Sequence, residues 1–150
     1  MTKSEDESRQ RIQGLIALFG EVLADQDLPG LEAVFLYGSS LGPFFRSDSD
    51  IDVALLDCQE RPLTWSEQAR LMDRFERASG HGVDLRILRE CTLPHQVHVL
   101  QQGILVWAKD PAQVERYAHE ALAASRPSSE RSSRQWPEVL DRLAQLAAPR

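Results

Sequence analysis

Two aspartates one residue apart, Asp50 and Asp52, have the spacing that most directly indicates chemistry in this sequence. They open an apolar run that extends to Leu56 and is typical of a buried strand. Residues i and i+2 of a strand point to the same side, with Cα atoms about 6.5 Å apart. Mg²⁺ takes one or two carboxylates together with substrate phosphates. The pair therefore predicts a site where Mg²⁺ binds with a phosphorylated substrate.

A second element of such a site, Gly38-Ser39, directly follows a β-forming apolar run over Leu31–Tyr37. Glycine at the end of a strand lets the backbone approach a ligand closely. Successive amides in a tight turn before a helix N-terminus bind anions, and the serine hydroxyl adds a donor. This element suits the β- and γ-phosphates of a nucleoside triphosphate. Arg46, in the following loop, could neutralise phosphate charge, and an ordinary surface arginine is an equal alternative.

Asp84 is the candidate for a third carboxylate. It interrupts the apolar run Val83–Leu88, where an unpaired acid would be costly. The alternative is an edge-strand acid that faces water or pairs with Arg86. Each short motif alone is most often structural, a turn or a pair of solvated loop aspartates. The combination of a strand, Gly-Ser, ten further residues and the aspartate pair carries the functional interpretation.

Helical and strand patterns alternate along the first 125 residues, and the first helix is predicted from about Ser4 to Asp25. The other predicted elements are strands over Leu31–Tyr37, Asp50–Leu56, Val83–Leu88 and Ile104–Trp107, and helices over Thr64–Ser79, Thr92–Gln102 and Asp110–Ser125. This order predicts an α/β (α+β) fold, a small mixed sheet of about four strands with helices packed on it. Residues 1–125 are predicted to form one domain, and residues 126–150 a linker followed by an amphipathic segment.

Composition bounds the other properties of the chain. A net charge of −6 repels a phosphate backbone, so direct nucleic-acid binding is not expected. The apolar runs are far shorter than the roughly 20 residues of a membrane-spanning helix. The polar stretch Met1–Gln10 lacks the apolar core of a signal peptide. Two cysteines without a pairing motif fit a reducing compartment, so the sequence predicts a cytoplasmic protein with no membrane partner.

The arrangement G-S-x10-D-x-D, from Gly38-Ser39 to Asp50 and Asp52, resembles the signature of the DNA polymerase β nucleotidyltransferase superfamily. The small size resembles its minimal nucleotidyltransferases (MNT), and residues 83–107 are similar to a region of the MNT antitoxins that pair with HEPN ribonuclease toxins. The resemblance implies a polymerase β-like fold. It also implies Gly38 and Ser39 at the triphosphate, and Asp50, Asp52 and Asp84 as metal ligands.

The same resemblance implies a reaction, since MNT antitoxins use ATP and Mg²⁺ to adenylylate a tyrosine of the partner toxin. Two magnesium ions are expected on Asp50 and Asp52, with Asp84 holding the catalytic ion or accepting the acceptor's proton. An antitoxin that masks its toxin by binding alone and transfer to a small molecule such as an aminoglycoside are alternatives. The loop Ser40–Phe45 departs from the family pattern, because Gly42 stands one place early and has no arginine beside it. The oligomeric state stays open.

Overall fold

The computed structural model describes residues 2–125 as a four-stranded mixed sheet covered by helices on both faces. The predicted linker and amphipathic segment, residues 126–150, lie outside the described residues. The elements are α1 (Lys3–Ala24), β1 (Leu31–Tyr37), β2 (Ile51–Asp57), α2 (Trp65–Ser79), β3 (Val83–Ile87), α3 (Leu93–Gln102), β4 (Ile104–Ala108) and α4 (Pro111–Ala124). The predicted fold class is confirmed, and the predicted boundaries agree within one residue. One of these differences matters, because β2 begins at Ile51 and Asp50 therefore lies directly before the strand.

The strands are ordered β3-β2-β1-β4, so β3 and β4 form the edges of the sheet. β1 is antiparallel to both of its neighbours, whereas β2 and β3 are parallel and are connected through α2. The register pairs Tyr37 with Asp52 and Asp52 with Asp84. Because paired residues project from the same face of a sheet, these three side chains form a row across three strands. We call Tyr37, Asp52 and Asp84 the acid row.

The two faces of the sheet bury separate apolar clusters, as the period-2 pattern of the strands requires. On one face, α1 and α2 pack on Ile51 and Val53, and the rings of Phe19 and Phe75 stack with centroids 4.2 Å apart. On the other face, α3 and α4 cover Ala54 and its neighbours. Asp52 projects to this second face, at the end of the sheet. In residues 2–125 no helix is long and apolar enough to cross a membrane.

Capping residues fix where the helices on either side of β3 begin. A capping box opens α2, because the Glu67 N–H donates to Thr64 Oγ1 (3.1 Å) and the Thr64 N–H donates to the Glu67 carboxylate (3.0 Å). Thr92 caps α3 by accepting a hydrogen bond from the His95 N–H. These caps place the N-terminal ends of both helices beside β3 and set His95 next to the acid row.

Candidate active site

Asp52 is the central carboxylate of the acid row and is partly buried. Burial raises the pKa of its carboxyl group, and the neighbouring Asp84 carboxylate raises it further. A carboxylate in this position is unfavourable when charged unless positive charge compensates it. The position of Asp52 therefore favours a bound cation, and perturbed acids of this kind cluster at functional sites.

Asp50 lies at the entrance of β2, is exposed, and approaches the loop before β3. A Cβ atom at Gly82 would overlap Asp50 Oδ1, so the backbone of this loop passes directly against the carboxylate. The Ile51 N–H donates to the Gly82 carbonyl at 2.9 Å and holds the two segments together. The paired aspartates are thus fixed by the parallel pairing of β2 with the start of β3.

The Gly38-Ser39 turn lies against the carboxylate of Asp52. Gly38 has φ +78°, which L residues rarely adopt, and a Cβ atom there would overlap Asp52 Oδ2. Gly38–Leu41 forms a four-residue 3₁₀ turn. Ser39 is exposed on this turn, and Ser40 is buried, with its Oγ donating to the Tyr37 carbonyl. Glycine is therefore required at position 38 both by the turn and by the close approach to Asp52.

Arg11 of α1 holds this turn in place and was not predicted from the sequence. Its Nε donates to the Ser40 carbonyl (3.0 Å), its Nη2 donates to the Gly42 carbonyl (2.5 Å), and its guanidinium lies 4.9 Å from the centre of the Phe45 ring. The loop that departs from the family pattern is therefore anchored by an arginine from elsewhere in the chain. In sequence Arg11 looks like a solvated position of an amphipathic helix, and no local signal links it to residues 40–45.

Asp84 is placed differently from the prediction. It is 43% exposed on an edge strand, with Arg86 Nη2 at 3.5 Å from its Oδ2. The expectation that Asp84 is buried in an apolar run was wrong, because strand alternation sends Val83 and Ile87 into the core and Asp84 to the opposite face. The alternative of a water-facing acid paired with Arg86 describes its surroundings. The register nevertheless aligns Asp84 with Asp52.

Arg46 lies in the loop before β2, where it forms an ion pair with Asp48. Its Nε lies 3.5 Å from Asp48 Oδ1, and the two side chains are 78% and 76% exposed. Its backbone N–H donates to Ser49 Oγ. An ion pair this exposed contributes little to stability, so the guanidinium is free to leave it.

The structure thus brings Gly38, Asp50, Asp52 and Asp84 to one end of the sheet and leaves Arg46 in the loop.

Tyr37 and His95 lie beside Asp52 and form the wall of the site on that side. Neither was predicted to be a site residue. The rings lie edge to face with centroids 5.4 Å apart, and His95 Nε2 is buried without a hydrogen-bond partner among residues 2–125. Burial, followed by the charge of Asp52, raises the pKa of Tyr37 to about 12. In sequence Tyr37 is simply the last apolar residue of a strand. Its role in the wall appears only when the register sets it beside Asp52.

The charge environment of Tyr37 gives a titration prediction. An unfolded tyrosine ionises near pH 10, whereas Tyr37 stays protonated to about pH 12, and burial also raises the pKa of Tyr117. The unfolded state therefore loses protons first, so the free energy of unfolding is expected to fall as the pH rises from about 10 to about 12. Absorbance should show no tyrosinate near pH 10 in the folded protein, and Tyr37→Phe should lessen the fall in stability. Half of the tyrosinate signal appearing near pH 10 before unfolding would contradict this.

The residues present fit a metal that arrives with its substrate. Within residues 2–125 no three His, Cys, Asp or Glu side chains converge closely enough to hold an ion by themselves. Mg²⁺ needs only one or two carboxylates when phosphates and water supply its other ligands. Asp50 and Asp52 provide such a pair, and Gly38 leaves the Asp52 carboxylate uncovered by a side chain.

A mixed sheet that aligns carboxylates at one end, beside a glycine turn that follows a buried strand, defines a nucleotidyltransferase of the polymerase β type. The chain belongs to the family described as Polymerase beta, Nucleotidyltransferase, whose model matches residues 21–112, more than half of the sequence. The four-stranded sheet and its flanking helices are the polymerase β-like fold. The protein is accordingly a nucleotidyltransferase. No curated protein matches the sequence significantly.

Solved structures with the same fold come from toxin–antitoxin complexes. A chain in the crystal structure of a toxin–antitoxin with AMP-PNP is 24% identical, with a TM-score of 0.60 over 89% of this chain and 98% of that one. A chain in the complex of a tri-AMPylated Shewanella oneidensis HEPN toxin with an MNT antitoxin is 20% identical, with a TM-score of 0.56 over 89% and 99%. A chain of the MntA–HepT toxin–antitoxin is 20% identical, with a TM-score of 0.57 over 91% and 99%. These likenesses show the fold.

Proposed function

We propose that this protein transfers AMP from ATP to a tyrosine hydroxyl of a HEPN-type partner toxin and thereby acts as its antitoxin. The observation that carries the proposal is the acid row, in which Asp52 and Asp84 are aligned in register beside the uncovered backbone of Gly38. Phosphoryl transfer depends mainly on positioning and on charge neutralisation. A rigid sheet that aligns carboxylates next to an anion-binding turn supplies both.

Each residue has a part in this reaction. Gly38 and Ser39 present a backbone amide and a hydroxyl to the triphosphate, and Arg46 leaves Asp48 to contact a phosphate oxygen. Asp50 and Asp52 would hold two Mg²⁺ ions together with the nucleotide phosphates, and Asp84 would complete the set of ligands. Bound magnesium supplies the positive charge that stabilises the transferring phosphate. The acceptor oxygen forms a bond to the α-phosphorus, the bond to the bridging oxygen breaks, pyrophosphate leaves, and the hydroxyl proton passes to the Asp84 carboxylate.

Two of the structural relatives support ATP as the nucleotide and a protein as the acceptor. One was solved with AMP-PNP, and another contains a tri-AMPylated HEPN toxin. The net charge of −6 argues against a nucleic-acid acceptor. We assign the transfer machinery to residues 1–125 and propose that residues 126–150 contribute to partner binding.

A second candidate function is an antitoxin that masks its toxin by binding alone. One observation favours it, since the carboxylate of Asp84 is ion-paired with Arg86 and faces water instead of a preformed metal cage. In that case Asp50, Asp52 and Asp84 would not be needed to neutralise the toxin. The two functions therefore differ in what the loss of Asp84 would do.

Replacing Asp84 with asparagine keeps the shape of the side chain and removes its charge. If Asp84 accepts the proton or binds the metal, transfer is expected to fall by about a hundredfold, the scale of general-base loss. Toxin binding should persist, because asparagine keeps the shape of the side chain and leaves the backbone of β3 unchanged. The assay incubates each variant with labelled ATP, Mg²⁺ and the HEPN-type toxin and detects the added mononucleotide by mass spectrometry. Asp73→Asn, which removes an exposed carboxylate of α2 that is paired with an arginine, is the matched control.

The outcomes separate the two functions. Loss of modification with retained binding supports the transferase. If Asp84→Asn neutralises the toxin in cells as well as the wild type does, and wild-type protein leaves no mononucleotide on it, masking by binding takes the place of catalysis.

A further inference from the structure

The outer edge of β3 presents unpaired backbone groups next to the acid row. The parallel register of β2 and β3 turns the N–H and C=O groups of Asp84 and Arg86 toward β2. Backbone groups alternate in direction along a strand, so those of Val83, Leu85 and Ile87 point away from the sheet. Because β3 is an edge strand, no strand within residues 2–125 pairs with the N–H and C=O of Leu85.

Two contacts on either side support this orientation. The Val83 N–H donates to the carboxylate of Glu76 at 3.0 Å, and the Ile87 carbonyl accepts a weak hydrogen bond from Cys91 Sγ at 3.4 Å. Side chains thus bind the backbone at both ends of the edge, whereas the N–H and C=O of Leu85 at its centre remain available to a ligand. A row of unpaired backbone groups on an edge strand is a template for another strand.

A groove of about 490 Å³ follows this edge between the N-terminal ends of α2 and α3. Leucine and isoleucine side chains of β3 form part of it, and Trp65 stands at its rim with 85% of its surface exposed. A tryptophan left in solvent beside a groove is typical of an interaction site, because aromatic residues carry much of the binding energy at interfaces. The groove therefore combines open backbone groups with an aromatic contact.

We propose that the acceptor segment of the partner protein binds as an added strand on the edge of β3, opposite Leu85. This inference rests on the proposed function and names how its substrate is held. The added strand runs antiparallel to β3, so that one of its residues exchanges both backbone hydrogen bonds with Leu85. The residue opposite Asp84 then projects from the same face, with its Cβ about 4.5–5.5 Å from that of Asp84. A tyrosine at that position would carry its hydroxyl to the site face of the sheet, beside the acid row.

The positive charge of Arg86 on this edge indicates that the acceptor segment carries an acidic residue near its tyrosine. Arg86 lies two residues beyond Asp84 on the same face, and its guanidinium is paired only loosely with Asp84 at 3.5 Å. An acidic residue opposite Arg86 would pair with it and leave the Asp84 carboxylate available. The edge therefore selects an extended segment in which a tyrosine and an acidic residue are separated by one residue. An extended polypeptide also satisfies both the N–H and the C=O of Leu85.

The docking test uses the full chain and the peptide acetyl-Thr-Val-Glu-Val-Tyr-Val-Thr-amide, whose antiparallel binding places Glu opposite Arg86, the central Val opposite Leu85 and Tyr opposite Asp84. Amide hydrogen exchange is measured by NMR without nucleotide, and the peptide is expected to slow exchange at Leu85 by at least about tenfold. A matched peptide with an N-methyl group on the valine between Tyr and Glu lacks the donor to the Leu85 carbonyl. It should bind about tenfold more weakly, the scale of one hydrogen bond.

Protein variants provide a second measurement. Trp65→Ala is expected to weaken peptide binding by about tenfold or more, whereas Phe44→Ala removes another exposed aromatic, away from the groove, and should change nothing. Unchanged Leu85 exchange at saturating peptide, or equal binding of the N-methylated peptide, overturns the proposal. So does protection of Leu85 without peptide, which would mean that a second copy or another segment of this chain occupies the edge.

Transfer is read separately from docking. With ATP and Mg²⁺ added, mass spectrometry shows whether the peptide tyrosine gains a mononucleotide. Protection of Leu85 with modification supports both proposals. Protection without modification supports the docking edge and contradicts the proposed transferase, whereas modification without protection at Leu85 supports the transferase and overturns the docking edge.

Discussion

Replacing Asp50 and Asp52 together with asparagine is expected to lower nucleotidyl transfer by at least about a thousandfold. Metal ions stabilise transition-state charge by several kcal/mol, and each 1.4 kcal/mol is about a factor of ten in rate. Amides retain the shape of the side chains and remove both negative charges from the entrance of β2. Calorimetry should show that wild-type protein binds ATP much more weakly without Mg²⁺, and that the double variant binds it weakly under either condition. Equal ATP binding by the variant would remove the site assignment.

Loss of stability is not expected to explain that result. The pKa of Asp52 is raised by burial and by Asp84, so its charged form is less favourable in the folded state than in the unfolded state. Its contribution to stability is therefore present at acid pH and is lost as the pH rises through the folded pKa. Without metal at neutral pH, Asp52→Asn should unfold at the same temperature as the wild type or a higher one. Thermal unfolding of the two proteins tests this control.

Replacing Gly38 with alanine is expected to lower both activity and stability. The residue has φ +78°, where a side chain costs about 1–3 kcal/mol, and the new Cβ would overlap Asp52 Oδ2. A carboxylate displaced by about 1 Å can lower the rate of transfer a hundredfold. Transfer activity and denaturant unfolding measure the two effects.

Gly80 offers a matched control for this substitution. It has φ +72° at the C-terminal end of α2, and no atom lies within 4 Å of where its Cβ would be. Gly80→Ala should therefore share the backbone strain and keep the transfer rate. If Gly38→Ala loses no more activity than Gly80→Ala, the close approach to Asp52 has no part in catalysis.

Local patterns were sufficient to predict the helices and strands and to propose the residues at the centre of the candidate site. Apolar spacing and capping residues specify each helix from a few neighbours, and the turn after Tyr37 needs only a glycine at the end of a strand. The spacing of Asp50 and Asp52 likewise depends on one strand. Each of these features depends on residues that are close in sequence. They can therefore be predicted without knowing which strands pair in the sheet.

What the sequence did not reveal depends on pairing between distant stretches. Arg11 contacts residues that follow it by about thirty positions, and only the packing of α1 brings them together. The order of the strands was also hidden. It makes β3 an edge, and this is why Asp84 faces water beside Arg86 instead of being buried. An apolar run alone does not show whether a strand lies at the centre of a sheet or at its border.

The acid row has a consequence for how this scaffold tolerates change. Its members come from three adjacent strands, so their separation is set by the distance between neighbouring strands, about 4.8 Å. That spacing is a property of backbone hydrogen bonding and does not depend on loop length or sequence. The loop of residues 42–49 can therefore lengthen or shorten while Asp52 and Asp84 keep their mutual distance. The sheet fixes the distance between the carboxylates. Sequence changes that alter partner or nucleotide preference can therefore be confined to the loops around it.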